Sequence, residues 1–439
     1  MDLKTGSGHY GRPPGGARHA IARTSKRPPL VYAGEKLVSP VVSPLKVTLS
    51  AAPIHRRPSI PSLTSLRFFA AAYVFVYHWA WPHSLSGWPS FLRNAAHTGY
   101  LSVSLFFVLS GFVLAYNYAP VHPGQRLDKR DFWIARFARI YPVYVLGLII
   151  ALPLFVKDSF GSGNVGRQVC SVGATATTLT QAWSPSTVCH WNCPGWAVSV
   201  EAFFYLLFPF LLIVLVRQSA LRLLGIAVTS WLVSLVGPLF FATSSHAQNG
   251  SLSIVLWANP IMRLPEFLVG MAAGLIFLTY TRDRPVISAR VIGRVGICAA
   301  LGVAALAVAS SAIPQILLRT SLATPLFAAI VFALAVCAPG GVLSSRTLIL
   351  LGEASYGLYV LHLALLSYLR NIAEIAFGRD VSGSLPFLAI SLAISIACSI
   401  VVRQVVEEPA RRALRARFGR RNRVGNSHAL NQPGSASPS

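Results

Sequence analysis

The chain has 439 residues, of which 54% are hydrophobic and 12% are charged, about half the charged fraction of a soluble globular protein. Its 38 Lys and Arg residues outnumber its 13 Asp and Glu residues, for a formal net charge of +25. This composition excludes a disordered or fibrous protein and argues against a water-soluble one. Nucleic-acid binding is disfavoured, because the basic residues lie at the termini and between apolar runs. The sequence indicates a multi-pass membrane protein.

The two ends of the chain differ in composition from its middle. Residues 1–58 are rich in Pro, Gly, Ser, Arg and Lys, without helical or strand periodicity or the apolar core of a signal peptide. They predict a disordered basic arm in the cytoplasm. Residues 406–439 predict a basic cytoplasmic tail. Between the two, residues 59–405 form one membrane domain.

This domain contains ten apolar stretches, each long enough to cross a bilayer as a helix. They are 63–83, 99–119, 140–156, 195–216, 222–242, 260–281, 295–313, 320–338, 348–372 and 386–404. If both termini are cytoplasmic, the outer loops contain only five basic residues, and most of the others lie inside, as the positive-inside rule requires. We predict an all-α polytopic membrane helix bundle of about ten transmembrane helices, with both termini cytoplasmic.

The first span contains two residues that are costly to place in a membrane, Arg67 and His78. They are eleven residues apart, so they leave the same helix face, separated by roughly 16 Å along the axis. Between them, Ala70, Ala71 and Ala72 make part of the surface small, which would suit a narrow channel. Alternatively, Arg67 snorkels to the surface and His78 bonds to a neighbouring helix. The two residues alone do not decide between these interpretations.

Two further arginines, Arg136 and Arg139, precede the third span on one helical face. With Arg67 they predict a cytoplasmic cluster of three guanidinium groups. Guanidinium groups recognise phosphate well, because their planar fork donates two parallel hydrogen bonds. The alternative is ordinary positive-inside anchoring. The chain contains no P-loop or GxGxxG motif, so an ATP-driven mechanism has no support.

Three more charged residues fall within the spans. Arg263 and Glu266 are spaced i, i+3 and can pair on one helix face, most simply as a structural ion pair beside Pro265. Glu201 begins its span on the outer side. By the predicted topology, Glu201, Arg263 and Glu266 lie with His78 in the outer half of the membrane.

Other polar residues have structural explanations. Glu353 and Arg370 lie near the ends of their span, where snorkelling accounts for them. Cys170, Cys189 and Cys193 share one polar loop, and in an oxidising compartment they allow one disulfide and one free thiol. A zinc site there is disfavoured, because no second ligand pair has the right spacing. The other three cysteines lie in apolar spans, where a thiol behaves as a small hydrophobe.

Several segments, in this order, resemble the acyltransferase family 3 proteins, integral-membrane O-acyltransferases that modify bacterial surface glycans and some small natural products. The resemblance covers roughly residues 60 to 410. The matching segments are Arg67 with His78 eleven residues on, Leu105–Phe112 (LFFVLSGF), Arg136 with Arg139, Trp196 with Glu201, the stretch Leu351–His362, and Glu408-Pro409.

The resemblance implies a membrane O-acyltransferase that takes an acyl group, expected to be acetyl, from cytoplasmic acetyl-coenzyme A. The expected acceptor is a hydroxyl of a surface polysaccharide or lipid-linked glycan, and the expected location is the bacterial inner membrane. Neither a metal nor a nucleic acid is expected. The alternatives are acylation of a small natural product such as a macrolide and, from other classes, a proton-coupled secondary transporter or a protein that flips or scaffolds acylated lipid.

The resemblance also assigns roles to individual residues. His78, as general base or transient acyl carrier, and Glu201 are the expected catalytic residues. Arg67, Arg136 and Arg139 are expected to hold coenzyme A. The expected supporting residues are Ser110, Trp196, Arg263, Glu266, Tyr359 and His362.

One departure from the family pattern concerns Ser104. Many members carry an acidic residue at this position, just before the Leu-Phe-Phe run. If that carboxylate orients the histidine in relatives, this chain must use another group in place of Ser104 or do without one.

Overall fold

A computed structural model describes residues 57–122, 125–161, 165–244, 249–282, 287–337 and 340–418. All the described residues belong to one compact unit. Of the predicted basic arm, residues 1–56 lie outside the described residues, as do residues 419–439 of the predicted tail. The described part is helical and contains no strand, which confirms the all-α prediction.

The α-helices of the described part are, in chain order, α1 (Pro61–Ala80), α2 (Ser90–Ala96), α3 (Leu101–Tyr118), α4 (Lys129–Gly161), α5 (Val165–Thr177), α6 (Gly195–Leu215), α7 (Ala220–Thr243), α8 (Gly250–Ala258), α9 (Pro260–Arg282), α10 (Ala289–Val308), α11 (Gln315–Arg319), α12 (Thr324–Cys337), α13 (Arg346–Phe377), α14 (Leu385–Val402) and α15 (Glu408–Phe418).

Each of the ten predicted spans coincides with one of these helices. In the described part, eight helical segments are long and apolar enough to cross a membrane, which confirms a polytopic membrane protein. The other two predicted spans are α1, which is 20 residues long and contains Arg67 and His78, and α12, which is apolar but only 14 residues long.

Two helical segments extend beyond the boundaries predicted for the spans. Helix α4 begins at Lys129, so Arg136 and Arg139 lie well inside a helix rather than at its start. The predicted tail boundary at residue 405 falls within continuous helix, because α14 passes through a π-helical turn, Arg403–Glu407, into α15. Ion pairs from Glu408 to Arg403 (2.8 Å) and Arg412 (3.5 Å) tie this turn to α15, which packs against α4.

Two helix pairs pack so closely that they need glycine at the contact. Helix α3 lies along α9, where a Cβ added at Gly270 would meet the Val108 carbonyl oxygen at 2.1 Å. Helix α1 lies along α13, where a Cβ at Gly352 would lie 2.0 Å from the Thr64 carbonyl oxygen. Small residues allow helix backbones to approach and gain van der Waals contact. These contacts fix the positions of α1, α3 and α13 relative to their neighbours.

The packing predicts opposite effects for two helical Gly→Ala substitutions. Gly270→Ala should destabilise the bundle by about 1–3 kcal/mol, because the new methyl group overlaps the α3 backbone. Gly225→Ala is the control, since a Cβ there meets nothing within 4 Å and alanine favours the helix. Thermal unfolding of both purified proteins in detergent measures the difference. Equal unfolding temperatures would contradict the close approach.

Candidate active site

The described part contains a cavity of about 100 Å³ among helices α1, α3, α4, α6 and α13. Phe106, Phe107 and Leu114 supply apolar wall. Its polar lining brings together residues that are far apart in sequence: Arg67, Ser110, Arg136, Arg139, Glu201, Tyr205, Glu353, Ser355, Tyr356 and Tyr359.

Three guanidinium groups line this cavity with few protein partners. Arg67 and Arg139 donate no hydrogen bond to the described residues and form no ion pair with them. Arg136 donates from Nη2 to the Tyr118 hydroxyl at 3.1 Å, while its Nε is buried without a partner in the described part. The predicted cluster therefore exists, and its hydrogen-bonding capacity is mostly unused.

The two carboxylates that line the cavity are already engaged. Glu201 accepts a hydrogen bond from Ser110 at 3.0 Å and another from Tyr205, one turn along α6. Glu353 forms an ion pair with Arg403 at 2.5 Å. Three arginines and two carboxylates thus line the cavity. Glu353 pairs with Arg403, whereas Glu201 has no cationic partner within ion-pair distance in the described part. Such an excess of positive charge favours an anionic ligand.

Glu201 lies in a different neighbourhood from the one expected. The sequence placed it with His78, Arg263 and Glu266, whereas the structure places it in the cavity with the arginines. Depth along a helix can be counted from the sequence. The neighbours at that depth depend on how α6 packs against α3 and α4, which the sequence alone does not show.

His78 lies beside the cavity rather than in its lining. Its Nδ1 lies 3.1 Å from His362 Nε2 and 3.0 Å from the Val74 carbonyl oxygen. Tyr359 lines the cavity, and its ring lies 6.0 Å from that of His362. Arg67 and His78 share the uninterrupted helix α1, as predicted, with an axial separation of about 16 Å.

The small residues between Arg67 and His78 do not form a channel here. Ala70 and Ala71 are buried in two hydrophobic clusters and are absent from the cavity lining. Phe106 and Tyr359, whose rings make edge contact at 5.6 Å, occupy the cavity wall instead.

Arg263 and Glu266 form the predicted i, i+3 ion pair, at 3.1 Å, and both are 0% exposed. Arg263 also donates to Ser104 at 3.0 Å and to the Arg319 carbonyl at 2.8 Å. Its guanidinium lies over the ring of Phe107, which separates it from the cavity. The pair is thus buried and lies outside the cavity lining. Ser104, the departure from the family pattern, belongs to this pair and makes no hydrogen bond to His78 in the described part.

Two residues explained by snorkelling have specific partners instead. Arg370 donates to the carbonyl oxygens of His78 and Trp79 at 3.1 and 3.2 Å, capping the end of α1. Glu353 lines the cavity and pairs with Arg403, 50 residues away. Because Glu353 and Arg370 lie near the ends of their span, the sequence suggested that they snorkel. The packing of α13 against α1 and α14 gives them protein partners instead.

Sequence reasoning missed Tyr205 and Tyr356. The i, i+4 spacing of Tyr205 from Glu201 was a usable signal, because such neighbours share a helix face. Tyr356 lines the cavity one turn before Tyr359 and donates to the Ile140 carbonyl at 2.7 Å. Trp196, which the resemblance singled out, packs against Phe107 next to the cavity.

The cysteine loop adopts one of the expected arrangements. Cys189 and Cys193 form a disulfide, and Cys170 is free and exposed. Of the cysteines in apolar spans, Cys298 and Cys337 lie on the outer surface of the bundle.

Comparison with known proteins gives a family and several relatives. The model of a family described as an acyltransferase domain matches residues 60–404. Acyltransferase MdmB from Streptomyces mycarofaciens is 31% identical over 394 residues, which cover 84% of this chain and 95% of that protein. No solved structure matches the chain.

Two other relatives are more distant. The peptidoglycan O-acetyltransferase OatA of Listeria monocytogenes is 22% identical over 340 residues, 73% of this chain and 51% of that protein. The putative peptidoglycan O-acetyltransferase YrhL of Bacillus subtilis is 25% identical over 229 residues, 50% of this chain and 33% of that protein. The match with this chain thus spans about half and about a third of the length of these two relatives.

The geometry predicts different costs for neutralising two membrane arginines. Arg263→Gln should destabilise the protein by about 3–5 kcal/mol, because Glu266 would remain buried and unpaired. Arg139→Gln should cost little or increase stability, because its guanidinium has no ion-pair partner in the described part. Thermal unfolding in detergent without added ligand provides the comparison. Equal destabilisation by both substitutions would show that the cavity arginines are structural.

Proposed function

This chain belongs to the acyltransferase family, and we propose that it transfers an acetyl group from cytoplasmic acetyl-coenzyme A to a hydroxyl of a surface or lipid-linked glycan. Family membership makes the chain an O-acyltransferase, so the transporter and scaffold alternatives are set aside. The observation that carries the donor assignment is the group of three under-partnered guanidiniums in the cavity.

Coenzyme A carries a diphosphate and a ribose phosphate, so it presents several anionic oxygens to a binding site. Arg67, Arg136 and Arg139 can each donate charge-assisted hydrogen bonds to these oxygens. Glu201, held by Ser110 and Tyr205, limits repulsion among the guanidiniums in the empty protein. We assign Glu201 to the donor end of the site, which supports its role as a positioning residue there.

The acyl-bearing arm of the donor would extend from the arginines past Phe106 and Tyr359 towards His78. There the imidazole takes the proton of the acceptor hydroxyl as its oxygen attacks the thioester carbonyl. The carbon–sulfur bond breaks, and the thiol leaves with that proton, which returns from His78. The products are the acetyl ester and free coenzyme A.

The glycan acceptor is supported by the two peptidoglycan O-acetyltransferases among the relatives. An acceptor hydroxyl on a small natural product is the competing assignment. It would appear as acetylated small molecules in the medium with an unmodified cell surface.

For orientation we propose the bacterial inner membrane with both termini in the cytoplasm, in line with the distribution of basic residues. The donor arginines then face the cytoplasmic half, and His78 lies in the outer half. Acetyl-coenzyme A is cytoplasmic and surface glycans are outside, so this orientation puts each substrate on its own side.

The function is tested in a strain that lacks the gene. Mass spectrometry should show glycan acetate restored by the wild-type gene and absent with His78→Ala, because no base then takes the hydroxyl proton. His122→Ala, which removes an exposed histidine between α3 and α4, is the control and should restore acetate. Acetylation at the wild-type level with His78→Ala would sink the catalytic assignment.

Donor binding is tested by calorimetry with coenzyme A and purified protein. Arg139→Gln should weaken binding by about 1.5–3 kcal/mol through loss of a charge-assisted contact. Arg130→Gln removes the same charge from an exposed position on the same helix and should bind normally. Equal affinity of both variants for coenzyme A would show that Arg139 acts only as a positive-inside anchor.

Orientation is tested with an impermeant thiol reagent on cells whose outer membrane alone is permeabilised. Cys170 should react directly, and Cys189 and Cys193 only after reduction of their disulfide. Cys337 is exposed at the C-terminal end of α12, which the proposed topology places in the cytoplasm. It should therefore react only once the inner membrane is opened. The reverse labelling pattern would show that the orientation is opposite to the one proposed. His78 would then lie in the inner half of the membrane.

A further inference from the structure

The imidazoles of His78 and His362 form a hydrogen-bonded pair between α1 and α13. His362 is 1% exposed, and its Nε2 lies 3.1 Å from His78 Nδ1. Each ring also places Nδ1 against a main-chain oxygen: His362 on Tyr359 at 2.7 Å, and His78 on Val74 at 3.0 Å. These three distances constrain where the protons are.

A carbonyl oxygen only accepts hydrogen bonds, so a ring nitrogen that faces one must carry a proton. His362 therefore has its proton on Nδ1 and, as a neutral ring, a lone pair on Nε2. That lone pair accepts from Nδ1–H of His78, which is shared with the Val74 carbonyl. The reversed arrangement would set a bare nitrogen against a carbonyl oxygen on both rings. A doubly protonated His362 would add a desolvated charge and still leave His78 Nδ1 bare against Val74.

This arrangement determines the free nitrogen of His78. With the proton on Nδ1, Nε2 keeps a lone pair, makes no hydrogen bond within the described part and is not enclosed there. Arg370 holds the main chain at the same point by donating to the carbonyl oxygens of His78 and Trp79. The Val74 carbonyl of α1 and His362 of α13 thus both accept the Nδ1 proton of His78, and Arg370 of α13 holds the main chain beside it.

We propose that His362 is a positioning residue that holds His78 in the Nδ1–H tautomer, so that Nε2 accepts the proton of the acceptor hydroxyl. The inference rests on the proposed function, in which His78 is the general base. It answers the question raised by Ser104, because a neutral imidazole from α13 orients the base in this chain. During transfer the hydroxyl proton moves to Nε2 and then to the departing thiol, while Nδ1–H remains with His362.

Two substitutions separate the hydrogen bond from the space that the ring fills. His362→Phe keeps a ring but cannot accept a hydrogen bond. His362→Gln keeps an acceptor oxygen near the Nε2 position. The wild-type protein and both variants are compared in lipid nanodiscs, with unchanged coenzyme A affinity as the control for folding.

The first measurement is nitrogen-15 NMR of histidine-labelled protein, with the His78 signals identified by their loss in His78→Gln. We expect the Nδ1–H tautomer of His78 in the wild type and in His362→Gln. In His362→Phe we expect a smaller share of that tautomer, because the Val74 carbonyl is then the one remaining acceptor for Nδ1–H in the described part. An Nε2–H tautomer in the wild type would overturn the proposal, whatever the activity.

The second measurement is thiol release from acetyl-coenzyme A, with surface glycan purified from the deletion strain as acceptor. His362→Phe should lower kcat on the order of 10²-fold with little change in KM for the donor, and His362→Gln should recover most of the loss. Unchanged kcat in His362→Phe would overturn the proposal. Full activity of His78→Ala would also overturn the proposal, because His78 would then not be the general base. The tautomer of His78 measured by NMR would remain valid in that case.

Discussion

Unpaired positive charge inside an apolar bundle is the constraint on which the rest of this structure depends. A buried cation must be paired, solvated or bound by a ligand, or it destabilises the helices around it. Arg263 meets this requirement within the protein through Glu266 and Ser104. Arg67 and Arg139 do not, because the carboxylates that line their cavity are held by other side chains. The bundle thus maintains a cationic cavity that an anionic donor would complete.

Close helix packing places these charges. Gly111, whose added Cβ would lie 2.2 Å from the Phe267 carbonyl oxygen, follows Ser110, the residue that donates to Glu201. Gly352, in contact with the α1 backbone, precedes Glu353 in the cavity lining. In both segments a backbone contact fixes the helix at one residue, and the adjacent residue places a polar side chain in the cavity. The same short motifs therefore serve packing and the site.

The site has two ends along α1, and they differ in chemistry. The end with Arg67 is rich in charge and suits phosphate recognition. The end with His78 is built from two imidazoles and main-chain carbonyls, with Arg370 donating to the last turn of the helix. Tyr359 touches both regions, since it lines the cavity and its ring lies 6.0 Å from that of His362. In the proposed function, donor recognition and proton transfer are separated by about 16 Å on one helix.

The sequence by itself determined the all-α membrane architecture, the positions of the helices, the pairing of Arg263 with Glu266 and the three-arginine cluster. These features follow from local hydropathy and from spacing along single helices. Only the tertiary structure decided that Glu201 joins the arginines, that Glu353 pairs with Arg403, and that His362 bonds to His78 from 284 residues away. The physical reason is that sequence fixes the depth and face of a side chain on its own helix. The neighbour it meets depends on which helices pack together and on their rotation, which are set by contacts between distant segments.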